Sequence, residues 1–395
     1  MLAGAASEQL RQDESMDHRL RTRAPGAALF FSLLTAPHAL IAVEPGTGDF
    51  LDESAELDNI VVTADPLGAS ADQLPTPIDI LTGERLYLRN NGGTLGEVLE
   101  GELGVTGTYF GPVSSRPVIR GQQGPRVTVL ENRIGTLDVS DLSPDHAVSV
   151  DPLVAEQIEV IRGTGTLLYG SGAEGGVVNV VTNRIPKILP DRPVTGAVEV
   201  RGDTAADERA IAAKADGAFG RFAWHLDGVS RNTDDVDIDG YATRTSIRRE
   251  EAAEGEPVEE EKGTLANSDS DTDAWSAGGS WIGKLFTAGA SYSRYESHYG
   301  VPGPGEHHDE EEPADDSGAD NPDGGAAIRL KQDRVDLYGE YTGFDGALRA
   351  LRVEAGINDY RHTEFEPGGE PGTRFENDAW ESRIELVHDQ GDWQG

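Results

Sequence analysis

Beyond residue 193 the chain is written with a period of two. Phe222, Trp224 and Leu226 alternate with Arg221, Ala223, His225 and Asp227, and Leu351, Val353, Ala355 and Ile357 alternate with Arg352, Glu354, Gly356 and Asn358. Successive side chains of a strand point to opposite faces, so each run predicts a strand with one apolar and one polar face. About eight such strands fit before residue 395, each near the roughly 10 residues that carry a tilted strand across a bilayer. Their connections alternate, with tight turns near 217–220, 283–284 and 343–346 and long polar loops at about 232–271, 298–326 and 363–373. Short turns on one side and long loops on the other predict antiparallel strands of an outer-membrane β-barrel, apolar residues towards lipid and polar residues towards the lumen. A soluble β-sandwich would alternate too, but would not sort its loops by length.

Upstream the pattern is mixed. Residues 156–181, EQIEVIRGTGTLLYGSGAEGGVVNVV, read as a strand, a glycine-dense turn with one apolar rung (Leu167, Leu168, Tyr169), and a second strand. So many glycines imply positive φ angles or close chain approach. A strand is expected over 77–81, and Thr94 with Glu97 three residues on forms a capping box opening a helix through Val98 and Leu99. Further strands lie at 116–120 and 126–131 around the turn 121–125. Together these predict a small α+β domain from 58 to about 190.

Charge and composition narrow the function. The formal net charge of -38 repels nucleic-acid phosphates and favours cations. With no Cys, any metal must bind through His and carboxylates. Arg19, Arg21 and Arg23 precede a short apolar run from Ala27, and small residues end near Ala42. The run is too short to span a bilayer as a helix, so 1–42 reads as a secretory signal peptide. The acidic segment before Met16 fits no basic leader, which points to Met16 as the true start. Residues 43–57 read as a flexible lead. No nucleophile–base pair or phosphate loop is visible, so an enzyme is not expected, and His225 and His298 read as polar barrel or loop residues.

With these residues laid out, the chain resembles the TonB-dependent outer-membrane receptors. Asp58, Asn59, Ile60, Val61, Val62, Thr63 and Ala64 resemble the energy-coupling box; by itself the run is an edge strand that a partner can capture by strand addition. TLGEVLEGELGVT at 94–106 resembles the first plug helix, and PVIRGQQG at 117–124 the family's Ile-Arg-Gly turn. IEVIRG at 158–163, LYG at 168–170 and GGVVNV at 175–180 are the most specific matches. The resemblance implies a plug domain (65–190) inside a barrel whose first part is 191–395. It also implies location in a Gram-negative outer membrane and nutrient uptake driven by a TonB-type inner-membrane transducer gripping the box. Such barrels have about twenty-two strands, within the known range. Eight would leave open edges in lipid, so the barrel is expected to be incomplete and the sequence a fragment.

At Ser143-Pro144-Asp145-His146-Ala147 the chain resembles the zinc-uptake receptors, a subgroup of that family. Carboxylate and imidazole are donors zinc accepts when thiolates are absent, although an Asp-His pair is ordinarily just a turn with Asp capping a backbone N–H. Along the later strand, parity carries the lumen face from Arg352 through Glu354 and Asn358 to His362 and Glu364, provided no bulge intervenes. Resemblance to the zinc receptors places ligands at Asp145, His146 and Glu364, with a further His on a strand the chain does not reach; His362 ranks below Glu364. A loop carrying His307, His308, Asp309 and Glu310 is a candidate for loose cation capture, imidazole favouring zinc, copper or nickel. Its alternative is a solvated acidic loop, as 250–261 more plainly is. Zinc enters here as transported cargo and not as a catalytic cofactor. The same receptor class carrying a ferric siderophore, haem, cobalamin or copper is one alternative, and an acidic adhesion protein without transport another.

Overall fold

A computed structural model describes residues 62–63, 78–90, 93–254, 262–303, 325–391 and 393–394. All of them lie in one compact unit, Ser54–Gly395. The expected signal peptide, the lead, most of the coupling box and the loop with His307, His308, Asp309 and Glu310 lie outside the described residues.

The N-terminal domain runs β1 (Ile78–Thr82), α1 (Gly83–Arg89), α2 (Leu95–Leu99), β2 (Val105–Gly107), β3 (Pro117–Ile119), β4 (Val127–Glu131), β5 (Ile134–Gly135), β6 (Gln157–Ile161) and β7 (Gly176–Val181). Its main sheet has the order β1-β6-β7-β4-β5, antiparallel except for the parallel pair β4 and β7. α2 begins as the sequence predicts: the Thr94 hydroxyl accepts from Glu97 N–H while the Glu97 carboxylate accepts from Thr94 N–H. The helix buries Leu95, Val98 and Leu99 against Leu81, Ile158, Val160, Val178 and Val180 of the sheet. β6 and β7 are joined by two 3-10 turns, Gly163–Tyr169 and Ser171–Ala173. A Cβ on Gly176 would lie 2.7 Å from Ile119 Cδ1, so the glycine there serves close packing. α1, absent from the sequence reading, buries only Leu86, too little apolar periodicity to announce a helix.

The second part comprises β8 (Val194–Asp203), β9 (Glu208–Phe219), β10 (Phe222–Thr233), β11 (Val236–Asp237), α3 (Thr245–Glu254), β12 (Thr264–Leu265), β13 (Ser270–Ile282), β14 (Phe286–Val301), β15 (Ala326–Tyr341), β16 (Leu348–Phe365), β17 (Pro371–Gln390) and β18 (Trp393–Gln394). β8, β9, β10, β13, β14, β15, β16 and β17 form an eight-stranded antiparallel meander, and β18 pairs with the end of β17. Its two faces are the reverse of a soluble sheet. His225 and Asp227 in β10, and Glu354, Asn358 and His362 in β16, are buried, while Leu226, Val353, Ile357 and Trp380 are exposed. No described helix is long and apolar enough to cross a membrane; the outward apolar face of the strands is what suits lipid.

Two loop expectations need correction. The long loop predicted over 363–373 is a five-residue turn at 366–370, because Gly368 and Gly369 take φ values of 101° and 81° and let β16 and β17 run on to Phe365 and from Pro371. On the same side the β8–β9 connection is only 204–207, so that side mixes short and long loops. Within 232–271, α3 and the β11–β12 pair interrupt what reads as polar loop.

The N-terminal domain seats against the concave polar face. Arg133 pairs with Glu354 (3.3 Å) and Glu385, and Arg184 with Glu131 and with Asp227 (3.3 Å). The segment after β5 has no strand partner for its carbonyls, and the wall supplies donors. Arg334 reaches Gly135 O (2.8 Å), Gln332 Thr136 O (2.8 Å), and Asn358 and Asn377 Leu137 O (2.7 and 2.9 Å). Buried backbone groups require such partners.

Candidate metal centre

Between Leu137 and Val150 the chain forms a loop tied at its neck by one carboxylate. Asp138 accepts from Ser140 N–H (3.1 Å) and hydroxyl (2.7 Å) through one oxygen, and from Ser149 N–H and hydroxyl (3.0 Å each) through the other. Ser114 donates to Pro144 O (2.9 Å), pinning the tip to the neighbouring turn. Inside this loop His146 is 1% exposed. Its Nδ1 lies 3.0 Å from Val139 O. A carbonyl oxygen only accepts, so Nδ1 carries a proton, and in the neutral ring Nε2 holds the lone pair.

That lone pair faces Glu364 Oε1 at 3.0 Å. Two acceptors at this distance need a proton or a cation between them. β16 presents Tyr360, His362 and Glu364 at alternate positions, hence on one face. His362 Nε2 lies 3.7 Å from the same Glu364 oxygen, is buried and has no hydrogen-bond partner, while its Nδ1 sits 2.8 Å from Tyr360 OH. The His146 and His362 ring centroids are 4.5 Å apart, with Phe375 of β17 against both. Among the described residues these three form one group whose ligand atoms all lie within 4.8 Å of each other. A tetrahedral zinc with bonds of roughly 2.0–2.1 Å keeps its donor atoms about 3.3 Å apart. The two separations from Glu364, 3.0 and 3.7 Å, bracket that value, and the group as a whole is wider, within 4.8 Å.

Of the predicted residues, then, His146, Glu364 and His362 converge. Asp145 is outside that group: its carboxylate takes the Ser143 hydroxyl, and its backbone carbonyl accepts from Tyr299 OH at 3.0 Å. A bulge does occur against β17 near Thr363/Phe365, but pairing with β15 runs unbroken from Ala327↔Phe365 to Tyr341↔Leu351, so the lumen parity holds as far as Glu364. Sequence reasoning missed Tyr299, Tyr360, Phe375 and Asp138. The alternation that finds His362 also finds Tyr360; nothing in the sequence marks the others.

Two residues of the expected coupling box are described. Val62 is fully buried among Leu130, Ile161, Ala173 and Val177. Thr63 donates from N–H (2.6 Å) and hydroxyl (2.9 Å) to Glu159, and Asn179 Nδ2 donates to both Thr63 Oγ1 (3.1 Å) and Glu159 (3.0 Å).

Residues 70–177 match the TonB-dependent Receptor Plug Domain family model. A "Hemin receptor" of Yersinia pestis is 30% identical over 147 residues, covering 36% of this chain and 21% of that protein. Among solved structures, the "Copper transporter OprC" superposes with a TM-score of 0.62 at 14% identity over 81% of this chain and 44% of its own. The siderophore receptor PirA from Acinetobacter baumannii gives 0.56 at 16% identity, over 80% of this chain and 45% of its own. The FrpB iron transporter from Neisseria meningitidis gives 0.57 at 14% identity, over 79% and 46%. The chain thus spans about a fifth of that sequence relative and under half of these structures. It carries a TonB-dependent receptor plug domain followed by antiparallel strands that resemble the barrels of such receptors.

Proposed function

We propose that this chain is the plug and leading barrel strands of an energy-coupled receptor in a Gram-negative outer membrane, with zinc as cargo. His146 from the plug and Glu364 and His362 from the wall hold the ion, and Asp145 joins if its carboxylate turns away from Ser143. The observation that carries this reading is the pair of buried imidazole Nε2 atoms aimed at one carboxylate oxygen, at 3.0 and 3.7 Å. The side chains that converge offer nitrogen and oxygen, the donors zinc accepts, and not the sulfur that selects Cu(I).

A site split between plug and wall is suited to release. A TonB-type transducer pulling on residues 58–64 would draw Thr63 from Glu159, shift the plug, and part His146 from Glu364 and His362. Losing one donor of three weakens zinc steeply, because the remaining two complete too little of its tetrahedron. The loop with His307, His308, Asp309 and Glu310 would gather the ion first.

Zinc titration of the folded chain against a chromophoric chelator tests the site. His146→Ala and Glu364→Gln should each weaken binding by more than the roughly 10–100-fold typical of outer-shell changes. Affinities equal to the parent's in both variants would sink the assignment. Cu(II) is the second reading, favoured by the same imidazole-rich set; since Cu(II) outbinds Zn(II) at most nitrogen and oxygen sites whatever the cargo, growth of a deletion strain under zinc against copper limitation separates them.

A further inference from the structure

We infer that Tyr299 is the positioning residue of this centre, a wall side chain that sets where the plug's histidine stands. The inference rests on the reading of His146, His362 and Glu364 as a cation site. Tyr299 lies on β14, two strands from the β16 ligands, and is 2% exposed. Its hydroxyl accepts from Ala147 N–H at 2.9 Å and donates to Asp145 O at 3.0 Å. One phenol therefore grips the peptide groups on both sides of His146 and uses its single proton and a lone pair to do so.

The grip is rigid at its root. The Tyr299 ring packs in a buried cluster with Val139, Ala147, Ile328, Leu330 and Tyr360. Val139, in the same cluster, also supplies the carbonyl that fixes His146 Nδ1. The backbone of His146 is thus held from the wall and its ring from within the loop, leaving Nε2 directed at Glu364. A ligand that must swing into place loses affinity to the ordering it requires, and fixed outer partners remove that cost. Because the grip comes from the wall, the same hydrogen bonds that build the site are among those broken when the plug moves.

Tyr299→Phe keeps the ring and deletes both hydrogen bonds. In the full folded chain, Zn(II) affinity should fall about 10–100-fold, and the visible absorption of bound Co(II) should change in intensity. In a His146→Ala background the same substitution should add little, since coupled residues are not additive. A metal-free measurement stands beside these: acylation of His146 by diethyl pyrocarbonate, read by peptide mass spectrometry, should be several-fold faster in Tyr299→Phe. Unchanged zinc affinity, or a loss of the same size with and without His146, overturns the positioning role. So does an unchanged acylation rate. A parent chain that binds neither zinc nor cobalt fails the cation-site reading itself, and is told apart by that result.

Discussion

His146 illustrates how a residue's chemistry is decided by neighbours that sequence does not bring near it. The short Asp-His motif made both side chains candidates, and strand parity made Glu364 and His362 candidates from the other end of the chain. What parity could not supply is the local competition for Asp145, whose carboxylate is satisfied by Ser143 two residues back. Nor could it supply Tyr299, whose contact with the Asp145 and Ala147 peptides spans more than 150 residues of chain. A second residue shows the same dependence on surroundings. Burial raises the Glu97 carboxyl above its ordinary range, against the backbone hydrogen bond from Thr94 that lowers it. With the folded value above the unfolded one, its favourable contribution is full below the ordinary glutamate pKa and is lost as pH rises through the folded value. Glu97→Gln, neutral throughout, should therefore slow amide exchange of Val98 and Leu99 relative to the parent at pH 7, after correction for intrinsic rates. At pH 4 the difference should vanish.

Elements were legible where periodicity was strong. The period-two runs gave the eight long strands, and the capping box gave α2. Element ends were less so, since a β-turn with two glycines at 368–369 and a long loop look alike in a polar stretch. α3 lies in a run of charge with no apolar stripe, so only its position between paired β11 and β12 reveals it. The segment at Val62 and Thr63 is held as an extra element by the glutamate of β6. Glu159 is fully buried, and a buried carboxylate needs its donors. A cysteine at Val62 would be the only thiol in the chain and a buried one. Adding Glu159→Gln should speed its maleimide labelling about tenfold or more, the equivalent of one charge-assisted hydrogen bond. Labelling at the parent rate would mean that the segment is held elsewhere.

At the scale of the whole molecule, buried charge pairs join plug and wall beside the hydrogen bonds to the plug backbone. Arg133, Glu354 and Glu385 have side chains 5%, 6% and 12% exposed. Arg133→Ala leaves Glu354 with Lys187 (3.4 Å) and Glu385 with Arg383 (3.8 Å) as their remaining cations, and should cost up to about 3–5 kcal/mol, seen as a lower denaturant midpoint. Removing Arg361, about half exposed beside Asp359, should cost under about 1 kcal/mol. The inside-out polarity of the wall was readable from alternation; the partners of each inward charge were not, because each is set by which plug loop meets it. The strands carry one more consequence. β14 to β17 are 16 to 20 residues long, well past the roughly 10 that cross a bilayer. The outward row of β16 turns from Val353 and Ile357, beside Trp380, to the exposed charges Asp359 and Arg361. Hydrocarbon would then end near Ile357 on the proposed reading, and Glu364, seven residues further along, would stand roughly 18 Å above that level for a strand tilted about 40°. On the proposed reading the ion is taken at a height where water and salt still reach, as at the lip of a well. What remains to be supplied with energy is the descent.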